Sequence, residues 1–193
     1  MGHGVRSALV TAMLRALVGD LEMHANDPGQ FLSEMNRKLA AILKQIEEPL
    51  YATAIYLVVD AASGRLRYAR AGHPAPLHLR RQAGTVEPLP FPSHAGAALG
   101  LFEKGSFLTS QRTLEAGDQI LLFTDGLFEI PNDNDEDFGV ERLLDAAHQR
   151  MALALPELLD GLIAEVRAFA GGQDFHDDVC LLGMEVARTV GRV

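Results

Sequence analysis

The apolar residues of this chain change period twice, from helical to alternating near residue 51 and back to helical after residue 138. That succession limits the fold more than any other feature. Leu9, Met13, Ala16 and Leu17 stand at i, i+4, i+7 and i+8, a stripe along one face of a first helix. Asn26-Asp27-Pro28 interrupts it. Asp27 is a good N-cap, and Pro28 suits a first helical position because the amide it lacks would find no partner there. Phe31, Leu32, Met35, Leu39, Ile42 and Leu43 follow at helical spacing, so the chain begins with a pair of helices.

From Tyr51 to Val59 the residues are mostly β-branched or aromatic. Residues 60–64 form a turn, and Leu66, Tyr68 and Ala69 begin a return strand, which makes a hairpin with a loop longer than two residues. Pro74, Pro76, Pro88, Pro90 and Pro92 mark irregular chain between short strands near 76–81 and 106–113. Gly117-Asp118 turns into 119–123, a short apolar run of the kind buried on both faces. Beyond Asp125 comes an acidic loop, then a helix carrying Val140, Leu143, Leu144 and Ala147. Pro156 opens another helix, with Leu159, Leu162, Ile163, Val166 and Phe169 on its buried face, and residues 178–186 close the chain as a strand. Helices kept apart from an antiparallel meander indicate α+β rather than a βαβ repeat.

Composition narrows the function. The 193 residues are 48% hydrophobic, enough to bury a core, and 17 Lys and Arg against 26 Asp and Glu leave a net charge of −9. No Lys/Arg block appears, which argues against a nucleic-acid or anionic-membrane surface. No apolar run reaches the roughly 18 residues that argue a membrane span, and the first residues have no secretory pattern. A soluble, cytoplasmic chain is expected. Its single cysteine, Cys180, can form no intramolecular disulfide and no thiolate metal site alone; a buried, inert thiol is the expectation.

Asp125 follows the buried run and precedes Gly126, while Asp177 and Asp178 precede the last strand. A carboxylate at the lip of a strand can be aimed by a rigid scaffold at a cation, or can simply cap a turn. Spacing alone leaves both readings open, and leaves open whether Asp125 and Asp177 meet.

Five words stand in order: Gly2-His3-Gly4-Val5 with Ala8 and Leu9; Ala71-Gly72-His73-Pro74-Ala75-Pro76; Thr124-Asp125-Gly126-Leu127-Phe128-Glu129; Phe138-Gly139-Val140-Glu141-Arg142-Leu143; and His176-Asp177-Asp178-Val179-Cys180-Leu181-Leu182. Together they resemble the SpoIIE-like branch of the metal-dependent, type 2C (PPM-type) protein serine/threonine phosphatases, over essentially the whole chain. The resemblance implies a four-layer α/β/β/α sandwich of two antiparallel sheets flanked by helices. It implies hydrolysis of phosphoserine or phosphothreonine on a bacterial regulatory protein of the anti-anti-sigma kind, and fusion to an upstream sensor or receiver module. Asp125 is similar in position to one metal ligand and Asp177 to another, with Asp178 the second choice. Hard oxygen ligands suit two Mn²⁺ or Mg²⁺ ions that activate water for in-line attack.

The first word is shorter than the family's, where an Asp stands three residues before Gly-His-Gly, and the family's earlier strands are also missing. Residues 1–193 thus resemble a single phosphatase domain lacking its first strands. The expectations are weak metal binding, little activity, and free sheet edges open to self-association. A catalytically inactive phosphoprotein-binding module is the alternative.

Other candidates are weighed on the same footing. His3 could act as a general acid or only hydrogen-bond in a turn leading into the first helix. His73 reads as a turn-holding residue, and His176 as either an outer partner of a metal site or an exposed loop residue. An EF-hand starting at Asp133 fails, because Phe138 and Leu144 stand where the required Gly and Glu belong.

Overall fold

The computed structural model describes residues 5–44, 50–92 and 96–187. The described elements are α1 (Val5–Asp20), α2 (Pro28–Leu43), β1 (Ala54–Asp60), β2 (Arg65–Ala71), β3 (Leu77–Arg80), β4 (Thr85–Pro88), β5 (Ser110–Thr113), β6 (Gln119–Phe123), α3 (Gly139–Arg150), α4 (Leu155–Phe169) and β7 (Leu181–Glu185). Two antiparallel sheets form, in the orders β1-β2-β5 and β4-β3-β6-β7. With two helices beside each sheet the fold is α+β, as the change of period implied. No helix among the described residues is long and apolar enough to cross a membrane.

The chain divides into two compact units. The first holds the chain up to His73 together with Pro90–Thr113; the second holds Pro74–Leu89 and the chain from Leu114. In the first unit, α1 and α2 join the β1-β2-β5 sheet through a core that includes Val10, Leu17, Phe31, Leu32, Met35, Leu39, Ala69 and Ala71. Asp27 caps α2 by accepting the amides of Gly29 (3.1 Å) and Gln30 (3.2 Å), with Pro28 in the first turn. Phe31 stacks on Tyr56 at 4.1 Å, and the Tyr56 hydroxyl donates to the Ala25 carbonyl (3.1 Å). Leu39 is fully buried, and truncation of such a leucine to alanine costs about 2–5 kcal/mol.

In the second unit, α3 and α4 bury Leu143, Ala147, Leu158, Leu162 and Val166 against Leu77, Leu79, Leu121 and Phe123 of the sheet. β6 lies between β3 and β7, which is why its five residues form an almost continuous apolar run. It pairs with β7 from Gln119↔Glu185 to Phe123↔Leu181. This register decides which residues meet beyond the strand ends.

Several sequence expectations shift. The buried side of α1 carries Val10 and Leu17 and continues to Leu21 just past the helix, whereas Leu9 is 54% exposed. That helix is apolar on more than one side, so the sequence does not fix which face it buries. Ile42 of α2 and Val140 of α3 also face outward, at 40% and 39% exposure. β4 leaves little mark in the sequence because Thr85–Pro88 is short and half-exposed with a proline at its end. The closing strand begins at Leu181 rather than 178, and Cys180 just before it is exposed, not buried. Burial alternates along this stretch, and Cys180 falls on the outward face with Asp178 and Leu182.

Candidate metal centre

β6 delivers Asp125. The strand ends at Phe123, Thr124 follows in extended conformation, and Asp125–Leu127 curl into one turn of 3-10 helix. The Asp125 carbonyl accepts the amides of Phe128 and Glu129, both at 2.9 Å, so the main chain of the turn is internally bonded while the side chain stays exposed.

Thr124 ties this turn to the segment before β7. Its amide donates to the Cys180 carbonyl (3.0 Å), its hydroxyl donates to the Asp178 carbonyl (3.0 Å), and its Oγ1 accepts the Cys180 amide (2.9 Å). These bonds continue the β6–β7 pairing for one more step. Gly126 completes the approach: a Cβ added there would lie 2.9 Å from the Asp178 carbonyl oxygen and 3.4 Å from the Asp177 Cβ. Only a residue without a side chain lets the two turns come this close.

Asp125 and Asp177 are therefore brought to neighbouring turns at one end of the β4-β3-β6-β7 sheet. Each folds one carboxylate oxygen back on the next amide, Asp125 Oδ1 accepting from Gly126 (3.1 Å) and Asp177 Oδ1 from Asp178 (2.7 Å). Their Oδ2 atoms carry no protein hydrogen bond among the described residues. The main chain of Asp178 is used by Thr124 and by Asp177, and its side chain is exposed. Of the two candidates, Asp177 has its Cβ beside Gly126.

Carboxylates are the donors Mg²⁺ and Mn²⁺ prefer, so Asp125 and Asp177 fit such an ion in kind. Among the described residues, no group of three or more His, Cys, Asp and Glu comes together that could hold a metal. The pair supplies part of a divalent shell. His3 lies outside the described residues. His176 is exposed in the loop before Asp177. His73 follows Gly72, whose φ of 66° suits glycine, and its carbonyl accepts from Arg70 (3.5 Å). The acidic loop is a hydrogen-bonded turn in which Asn132 Oδ1 accepts the amides of Asn134 and Glu136, and Arg142 holds the Glu136 carboxyl below its usual range.

One buried polar pair escaped the sequence reading. His78 Nε2 and Asp118 Oδ2 lie 2.9 Å apart, both side chains fully enclosed, and Asp118 Oδ2 also accepts the Glu115 amide (2.9 Å). It anchors the start of the strand whose other end carries Asp125. Asp118 looked like an ordinary turn residue after Gly117, and no spacing links it to His78.

The sequence matches the family described as Stage II sporulation protein E (SpoIIE) over residues 1–187. It is 35% identical over 131 residues to phosphoserine phosphatase RsbP of Bacillus subtilis (strain 168), covering 67% of this chain and 31% of RsbP. The RsbU and RsbW domains of Rv1364c from Mycobacterium tuberculosis superpose with a TM-score of 0.73 at 28% identity, over 96% of this chain and 49% of that one. The SiaA-PP2C domain of Pseudomonas aeruginosa gives a TM-score of 0.78 at 24% identity, over 95% and 72%, a likeness of fold. The chain spans about a third of the length of RsbP.

Proposed function

This chain belongs to the SpoIIE family of type 2C protein serine/threonine phosphatase domains, and on that premise we propose that it acts on phosphoserine or phosphothreonine of a bacterial regulatory protein, with Asp125 and Asp177 holding a divalent cation. The observation that carries the reading is the contact of the Asp125-Gly126 turn with Asp177-Asp178, fastened by Thr124. RsbP carries the name phosphoserine phosphatase, which supports the substrate class.

Asp125 and Asp177 would hold Mg²⁺ or Mn²⁺, which would supply Lewis acidity toward phosphoryl oxygens. The chain's own residues do the rest of the positioning. Asp125 and Asp177 present carboxylate oxygens from two adjoining turns, Thr124 fastens those turns together, and Gly126 keeps their separation short. Asp178 is the neighbouring alternative ligand, and His3 is the proposed proton donor to the departing serine oxygen. No side-chain nucleophile is needed when water attacks in line.

Two carboxylates neutralise only part of the charge of two divalent ions, so residues 1–193 alone are expected to bind Mn²⁺ weakly and turn over slowly. Titration of the protein with Mn²⁺, followed by electron paramagnetic resonance of free ion, tests the site. Binding that weakens sharply in both Asp125→Asn and Asp177→Asn supports it; binding unchanged in both rejects it. Phosphate release from a phosphoserine protein separates the readings of function. Mn²⁺-dependent release abolished by Asp125→Ala marks a working phosphatase, and tight capture of the phosphoprotein without release marks the binding module.

A further inference from the structure

β6 could lie against β3 in more than one alignment without disturbing the apolar core. In the structure Leu77 stands opposite Leu121, His78 opposite Ile120 and Leu79 opposite Gln119. This register sets fully buried Gln119 across from fully buried Leu79, and the Gln119 Oε1 has no hydrogen-bond partner. A slip of two residues would set Leu77 opposite Phe123, His78 opposite Leu122 and Leu79 opposite Leu121. Side chains alternate with a period of two, so every residue of β6 would keep its face. Apolar residues of β6 would then line the whole of Leu77–Leu79, and Gln119 would move out beyond Arg80. Apolar burial draws β6 into the core, but it does not choose the observed alignment.

Main-chain bonds do not choose it either, since each residue offers the same N–H and C=O groups. The turn before β6 is held in this neutral way, with the Asp118 carbonyl accepting the Val186 amide (2.9 Å) and the Gly117 amide donating to the Val186 carbonyl (2.7 Å). What differs between the two alignments is one side-chain bond. His78 Nε2 lies 2.9 Å from Asp118 Oδ2, which also accepts the Glu115 amide (2.9 Å). The slip would carry Asp118 about 7 Å along β3, out of reach of His78. The bond is a poor source of stability. His78 Nδ1 and Asp118 Oδ1 are buried with no hydrogen-bond partner, and apolar residues of similar volume commonly match or exceed the stability of such a pair. Fixing register is the best-attested use of a buried polar group kept at that cost.

We propose that His78 and Asp118 form a register pin, holding β6 against β3 in the one alignment that apolar packing does not select. The strand they fix is the one that delivers Asp125. Thr124 does the corresponding work toward the segment before β7 at the other end of β6. The pin uses no property of Asp125 or Asp177, so it stands whether or not they hold a cation.

Nuclear magnetic resonance of isotope-labelled protein reads the register, from main-chain proton contacts across β3 and β6. Unaltered protein should show Leu77 beside Leu121 and His78 beside Ile120. His78→Gln keeps a donor for Asp118 and should keep both contacts. His78→Leu combined with Asp118→Asn removes the pair and leaves an oxygen for the Glu115 amide. This double variant should fold, lose the contact of Leu77 with Leu121, and gain contacts of Leu77 with Phe123 and of Leu79 with Leu121. Retention of the present contacts in the double variant would overturn the proposal. Loss of those contacts in His78→Gln would overturn it as well, because the donor alone should hold the strand. A double variant that unfolds would show that the pair carries stability rather than register, and would also count against the pin.

Discussion

Asp27 and Asp125 each close the end of a regular element, and the molecule uses their carboxylates differently. Asp27, at the start of α2, is engaged through one heavily bonded oxygen. Its Oδ1 accepts the amides of Gly29 and Gln30 and the hydroxyl of Thr109, whose oxygen in turn accepts the Gly29 amide at 2.7 Å. Asp125, at the end of β6, bonds one oxygen to the next amide and leaves the rest of its side chain exposed. Three donors converge on a carboxylate that serves the fold, and one donor meets a carboxylate available to a ligand. An aspartate's residue type and place at an element end therefore say little about its role; the donors around it say more.

Gly126→Val tests the Asp125 side of that contrast most severely. The added side chain meets main chain of Asp178 at 2.9 Å, which cannot yield cheaply, so the two turns must separate. Overpacking of this kind costs about 1–3 kcal/mol, and Mn²⁺ binding should fall below detection in the same titration. Mn²⁺ binding that survives in Gly126→Val would detach the metal site from the contact of the turns.

Asp27→Ala tests the other side. Loss of the cap should cost about 1–2 kcal/mol in urea unfolding, with Mn²⁺ binding unaltered. A loss of Mn²⁺ affinity as large as that of Asp125→Asn would erase the distinction between the two aspartates.

Thr124→Val keeps the shape of the side chain and removes the hydroxyl that bonds Asp178 and Cys180. About 1 kcal/mol of stability should go with it, and Mn²⁺ affinity should drop by a smaller factor than in Gly126→Val. A full loss of affinity would promote Thr124 from a fastening to a ligand.

The smallest effect concerns pH. The Thr109 hydroxyl, with the amides of Gln30 and Gly29, holds the Asp27 carboxyl below its ordinary value of 3.8. A carboxyl depressed in the folded state contributes stability above its unfolded value and loses it as pH falls through the folded one. Wild-type protein should therefore lose slightly more stability than Asp27→Asn as pH falls below the ordinary Asp range. Because Asp27 is exposed, solvent screens the difference, and parallel acid limbs in thermal melts would show that the cap is not electrostatic.

Most of the regular structure was legible residue by residue. The Asp27-Pro28 start of α2, the β1–β2 hairpin and the apolar run of β6 follow from local preference and short-range period. The phase of α1 was not legible, because Leu9, Val10, Met13, Leu14, Leu17 and Val18 leave more than one apolar side to choose from. The burial of Leu17 and exposure of Val18 depend on what α2 and the sheet offer. Cys180 is exposed for a different reason: a lone thiol is expected to be buried by residue type, whereas alternation places it on the outward face of Asp178 and Leu182.

The candidate site divides along the same line. Asp125, Gly126 and Asp177 could be picked out from their positions beside apolar runs and from their resemblance to a known set of words. Their meeting is a matter of register. Phe123 pairs with Leu181 in antiparallel β6 and β7, so the chain leaving one strand lies beside the chain entering the other. A slip of one residue would move Asp177 away from Gly126 and turn every side chain of β7 to the opposite face. Local pattern depends on neighbours a few residues apart and is written in the sequence itself. The pairing of β6 with β7 joins segments separated by two helices, and it is selected by the burial of Leu121, Phe123 and their partners in the folded core. The amino-acid sequence determined which carboxylates were available, and only the tertiary structure decided that Asp125 and Asp177 stand together.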